Sequence, residues 1–379
     1  MNRILCAVSA AALLFGAAAC GDAVRTTRSG LDPERFRTEI GGKPVALYTL
    51  TNDAGTEVCI TNFGGRVVSI LVPDRDGAMR DVVLGFDNID DYRTIPSDFG
   101  AAIGRYANRI GQGRFELDGT AYQLPRNNYG HCLHGGPDGW QYRVYDVAEA
   151  TPSSLTLVLL SPDGDAGFPG SVTARVKYTL TGDNALQIDY EAETDAPTIV
   201  NMTNHTYFCL SGDPAAGSLD DVLQIAASHY TPVDSTFMTT GEIVPVEGTP
   251  MDFRTPKRVG EEIDDFAFEQ LRNGRGYDHN WVLDTAGDAT RRAARLYSPA
   301  SGIGVEVYTN EPGIQVYAGN FLDGTVKGKG GVAYPARASV CLETQHYPDT
   351  PNKPQWPSAV LRPGERYTSH CTFRFTAGE

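Results

Sequence analysis

A chain of 379 residues with a formal net charge of −15 and a pI near 4.9 can bury a large core, as one large domain or two ordinary ones. The acidic balance argues against nucleic acid or an anionic membrane surface as a partner, and makes a highly anionic substrate a poor fit, so a neutral polar ligand suits the chain best. Abundant glycine (41) and proline (23), with Tyr, Thr and Val in short runs, favour strands joined by turns over helices.

The chain opens on a leader. Met1-Asn2-Arg3 supplies a small positive region, and residues 4–19 form an apolar run too short for a comfortable membrane span. Ala17-Ala18-Ala19 then precedes Cys20. Ala17-x-Ala19 is an acceptable signal-peptidase site, which gives a soluble product. Ala-Ala-Cys also resembles a bacterial lipobox, although Ala17 stands where that motif usually has Leu, and this reading makes Cys20 a lipid anchor followed by a polar tether. Residues 1–20 therefore read as a signal peptide, 21–33 as the tether and 34–379 as one domain. The expectation is an exported bacterial protein, periplasmic or membrane-anchored as a lipoprotein, and a monomer or weak dimer. The cysteines beyond the leader are Cys59, Cys132, Cys209, Cys341 and Cys371, an odd set without close pairs, which reads as buried small residues and not as a disulfide framework.

From Phe36 onward the pattern is β-structure. Residues 114–117 and 120–124 flank Asp118-Gly119, a two-residue hairpin signal. Residues 175–180 and 187–191 alternate apolar and polar across the turn Thr181-Gly182-Asp183-Asn184, as half-buried antiparallel strands do. Further strands are predicted at 67–72, 155–160, 304–309, 339–342 and 367–375. Helical periodicity is sparse and best at 261–271. Without fixed-period repeats or an interdomain linker, the prediction is an all-β fold, a large antiparallel sandwich or barrel with few short helices.

Polar groups concentrate in a few runs that should otherwise be apolar. In Asn201-Met202-Thr203-Asn204-His205-Thr206-Tyr207-Phe208 one imidazole sits among amides, hydroxyls and a ring, which can hold it in one tautomer for proton transfer. Gly104-Arg105-Tyr106-Ala107-Asn108-Arg109-Ile110 offers forked donors beside small residues. His131-Cys132-Leu133-His134-Gly135-Gly136 pairs two histidines, but no third ligand completes a metal site, so none is expected. Tyr277-Asp278-His279-Asn280 supplies a carboxylate, and Glu311-Pro312-Gly313-Ile314-Gln315-Val316-Tyr317 an amide within a strand-like run. Glu343, at the end of the apolar run in Cys341-Leu342-Glu343-Thr344-Gln345-His346, is either a capped structural acid or a base held partly out of water. Nucleophile elbow, phosphate loop, dinucleotide fingerprint and His-Glu-x-x-His are all missing.

Taken together and in this order, the runs resemble the aldose 1-epimerase (mutarotase) family over essentially the whole chain from Phe36 onward. The resemblance implies a galactose mutarotase-like β-supersandwich and cofactor-free interconversion of the α and β anomers of a free monosaccharide. It implies Glu343 as general base and His205 as general acid, with His134 assisting near the ring oxygen. Asn108, Arg109, Tyr207, Asp278 and Gln315 would bind sugar hydroxyls, and Asp278 could bias His205 toward its charged form. Two relatives in fold remain as alternatives: a hexose-phosphate 1-epimerase, which needs extra cations, and an exported non-catalytic carbohydrate-binding protein, which needs no acid–base pair. A two-carboxylate glycosidase using Asp278 and Glu343 fits the pattern less well.

Overall fold

Residues 26–378 are described by the computed structural model, so the leader, the Cys20 anchor and the start of the tether lie outside the described residues. Strand alternation decides where each segment packs. Val172–Leu180 buries every second residue and pairs antiparallel with Ala185–Thr194, in register from Val172 opposite Thr194 to Leu180 opposite Leu186. The pair lies within a nine-stranded antiparallel sheet. It runs from Asp146–Ala150 through Ser154–Ser161, Val172–Leu180, Ala185–Thr194, Tyr367–Ala377, Ile303–Thr309, Arg292–Tyr297 and Val222–Ile225 to Lys257–Arg258.

A second, six-stranded sheet carries the chemistry. Its order begins with β2 (Tyr207–Phe208), β5 (Val340–Gln345), β4 (Gly313–Tyr317) and β3 (Asp278–Val282), and ends with His229–Thr231 and Val244–Pro245. The strand just before it, β1 (Thr203–His205), pairs with Ala101–Ile103, placing His205 opposite Ala101. One face of the six-stranded sheet presents Phe208, Trp281, Ile314, Val316, Val340 and Leu342 to a core shared with the larger sheet. The opposite face carries Tyr207, Asp278, Gln315 and Glu343, because residues two apart on a strand share a face. A strand buried on both sides while polar on alternate positions is thus the signature of a site floor, not of a solvent edge.

Most predicted strands and the Asp118-Gly119 hairpin form as expected, and all five cysteines beyond the leader are free and buried. Two boundaries differ. The tether is shorter than expected, because the Arg28 and Ser29 backbone N–H groups each donate at 2.9 Å to the Glu57 carboxylate and Leu31 is buried, so the fold begins before residue 34. The helix expected at 261–271 is only Glu269–Gly274. Asp265 closes turns upstream, its backbone N–H donating to Glu262 O and its side chain accepting from Ala267 N, a local alternative to helical bonding. A second short helix, Ile89–Thr94, is capped by Asn88.

Candidate active site

Two short loops meet over the polar floor. Gly104 packs so tightly on Trp140 that a Cβ there would fall 2.0 Å from the ring, and Gly135, at φ +80°, lies against the Gly104 carbonyl. This contact brings the Gly104–Ile110 run alongside the His134 turn. The Asn108 backbone N–H donates to His134 Nδ1 at 3.1 Å, while the His134 N–H returns a bond to Asn108 O at 3.1 Å. An N–H opposite Nδ1 places the ring proton of neutral His134 on Nε2, so His134 offers the pocket a donor. Burial, with help from the charges on His205 and Arg109, pushes its pKa well below the ordinary histidine value and keeps it neutral.

The two arginines of this run divide between scaffold and site. Arg105 is buried and donates to the carbonyls of Ser161, Pro162, Pro169 and Gly170, which makes it structural. Arg109 is held by Asn128 Oδ1 through Nε (3.1 Å) and Nη2 (2.9 Å), with its guanidinium 4.9 Å from the Phe237 ring centre. Anchored this way, it reaches the pocket without a rotamer search.

On the opposite wall, His205 Nε2 lies 3.5 Å from Glu343 Oε1, with both side chains at most 6% exposed. The Tyr207 ring stacks on the imidazole at 4.9 Å and 17°. His205 Nδ1 and Glu343 Oε2 have no hydrogen-bond partner among the described residues. Burial, reinforced by the charges of Asp278 and Asp98, drives the Glu343 carboxyl well above its ordinary value. Burial also lowers the His205 pKa, an effect that Asp98 opposes. Both shifts disfavour a charge at this buried site, and the two groups titrate as a coupled pair whose apparent pKa values belong to the pair. Of the two readings of Glu343, its buried and unpartnered Oε2 supports the base held out of water over the capped structural acid.

Asn108, Arg109, His134, His205, Tyr207, Asp278 and Glu343 all line one pocket of about 250 Å³, room for a single sugar ring. Gln315 does not line it. It shares the face of the sheet that carries Asp278 and Glu343, and its Nε2 donates to Asp278 Oδ1 at 2.7 Å, which holds that carboxylate in place. The carboxylate facing His205 is likewise Asp98 and not Asp278, which is turned toward Gln315 and Arg109. Sequence reasoning also missed Asn128, Tyr129, Tyr317 and Phe321, which complete the wall and rim. Exposed Tyr129 and Phe321 were visible only as aromatic residues within loops.

The other histidine considered for metal binding, His131, is spent on structure. Its Nδ1 accepts from Gln112 N at 3.0 Å and its Nε2 pairs with Thr236 Oγ1 at 2.8 Å. Asp98, His134 and His205 do bring one potential ligand atom each to within 4.8 Å of one another. With the Asn108 N–H occupying Nδ1 of His134, its Nε2 is a proton donor, so the trio is arranged to move protons and not to offer three lone pairs to an ion.

A buried carboxylate and imidazole 3.5 Å apart, in a pocket lined by polar side chains on a β-supersandwich, form the kind of site that acid–base chemistry on a small polar ring requires. A family model described as Aldose 1-epimerase matches residues 46–374. The chain is 42% identical over 336 residues to the galactose mutarotase of Mus musculus, covering 89% of this chain and 95% of that protein. It is 38% identical over 338 residues to the aldose 1-epimerase of Escherichia coli (strain K12), covering 89% and 96%. Among solved structures, an aldose epimerase homologue from C. elegans superposes with a TM-score of 0.82 at 32% identity, covering 88% of this chain and 100% of that one. Galactose 1-epimerase from Lactobacillus acidophilus gives 0.79 at 30% identity, covering 90% and 98%. The chain belongs to the aldose 1-epimerase family.

Proposed function

We infer that the protein interconverts the α and β anomers of free aldoses of the glucose and galactose type. The observation that carries this reading is the buried Glu343–His205 pair, 3.5 Å apart in a pocket of one-sugar size. Glu343 removes the proton from the anomeric hydroxyl as C1=O forms and the C1–O5 bond breaks, and His205 delivers a proton to O5. The open-chain aldehyde rotates about C1–C2. Reclosure on the other carbonyl face reverses both transfers, returning a proton from O5 to His205 and one from Glu343 to O1. His134 donates from Nε2 toward the ring oxygen, where charge develops, and Asn108, Arg109, Tyr207 and Asp278 hold the remaining hydroxyls. No external oxidant, reductant or metal enters this proton balance.

Asp278 and Glu343 already face the Arg109 charge and Asp98 adds a third carboxylate to the pocket lining, an arrangement that disfavours a sugar phosphate. A matched acid and base is more than binding alone requires, which disfavours the non-catalytic reading. Exchange NMR between the anomeric resonances of D-glucose and D-galactose at equilibrium tests the assignment. Exchange should quicken in proportion to protein and fall about 10²- to 10⁴-fold in His205→Asn. Sugar binding without exchange would sink it. We also propose export with Cys20 as a lipidated terminus, supported by the leader sequence alone. Membrane-associated protein that becomes soluble in Cys20→Ser is the expected result, and unchanged partitioning the contrary one.

A further inference from the structure

Beside the catalytic pocket lies a larger hollow of about 550 Å³ that the one-ring mechanism does not use. The two meet at Asp98, Leu133 and His134, residues that line both. Phe63, Tyr142 and Pro137 give the hollow apolar faces, and Asn127, Asp138 and Gln141 give it polar edges. Sugar rings present the same alternation, with C–H faces that stack on flat apolar surfaces and hydroxyl edges that exchange hydrogen bonds. Gln141 is 3% exposed and its Oε1 has no hydrogen-bond partner among the described residues, leaving a buried acceptor without a donor. The nearby cation, Arg93, pairs with Asp90 at 3.3 Å, while Asp98 and Asp138 add negative charge, so the hollow suits a neutral ligand and not an anionic one.

We propose that this hollow is a second saccharide subsite, which takes the outer unit of a reducing disaccharide joined through the primary hydroxyl of the reacting aldose. The proposal rests on the aldose reading above and fixes the direction in which substrate extends. With C1 between Glu343 and His205 and the ring oxygen facing His134, the next ring atom is C5. The primary carbon on C5 therefore lies on the His134 side of the ring, where the pocket and the hollow share their lining. Asp278 and Arg109 line the catalytic pocket but not the hollow, so substrate extended toward them would not enter it.

The test compares kcat/KM by polarimetry for D-glucose and for a 1→6-linked reducing disaccharide such as isomaltose. The wild type is run against two variants outside the acid–base machinery, Asp138→Trp, which fills the hollow from an exposed position, and Tyr142→Ala, which removes an apolar face. Loss of such a contact is expected to lower kcat/KM for the disaccharide by about tenfold, while the glucose value stays within about twofold. Equal losses for both sugars, or no loss for either in Asp138→Trp, would overturn the subsite. Failure of the wild type to accelerate glucose mutarotation would overturn the aldose reading itself, a result distinguishable from the first because it needs no variant.

Discussion

Replacing Asp98 with Asn removes a charge from beside the acid–base pair while keeping the side-chain shape. A carboxylate oxygen of Asp98 lies within 4.8 Å of a His205 nitrogen. At that distance two unit charges interact by about 3 kcal/mol at an effective dielectric near 20, and by about 1 kcal/mol where water in the pocket raises it toward 80. Asp98 is partly exposed, so the lower part of this range applies, equivalent to a shift of about one pH unit. The sign follows from the chemistry. A neighbouring negative charge favours the protonated form of both groups, so Asp98 raises the affinity of His205 and of Glu343 for protons. The active pair holds one proton. Activity falls at low pH when a second proton binds, and at high pH when the last one leaves. Removing Asp98 weakens both binding steps, so both limbs of the kcat/KM profile should move to lower pH by about one unit. Polarimetry of D-glucose across the pH range, wild type against Asp98→Asn, reads the limbs directly. Limbs that stay in place, or move to higher pH, would refute the electrostatic account of the pair.

Asp278→Ala removes a carboxylate that Gln315 supports at 2.7 Å and that Arg109 faces, so sugar binding should suffer more than turnover. An increase in KM of about tenfold or more with a smaller change in kcat is expected from losing a charged hydrogen bond, and a kcat loss at unchanged KM would count against a binding role. His134→Gln retains an N–H donor near the ring oxygen whereas His134→Ala does not. The glutamine variant should therefore keep more kcat than the alanine variant, and equal losses would show that the donor is unimportant.

Much of the architecture was legible because alternation in strands is a local property. Residues 175–180 and 187–191 announce their buried faces without knowledge of their partners. The same logic exposed the site floor, since Asp278, Gln315 and Glu343 interrupt runs that would otherwise be apolar core. It could not show which polar residue reaches the pocket surface, because Gln315 and Glu343 are equally polar and directly opposite in register, yet of the two only Glu343 lines the pocket. Asp98 had no signal at all. It is one acidic residue in a loop, and it gains meaning when Gly100 N–H bonds to His205 O at 3.0 Å and Ala101 N–H bonds to Asp98 O at 3.0 Å, fixing it beside a residue more than a hundred positions away. The helix expected at 261–271 shortened for a local reason, turn closure at Asp265, that apolar spacing does not report.

The central claim, that the buried Glu343 carboxylate takes the anomeric proton, is tested most directly by the change of optical rotation in freshly dissolved α-D-glucose and α-D-galactose. Purified protein lacking residues 1–20 would be run beside its Glu343→Gln variant. Rapid relaxation to the uncatalysed final rotation is expected with the wild type, and a rate about 10²- to 10⁴-fold lower with the variant. A Glu343→Gln protein that relaxes these sugars as fast as wild type would contradict it.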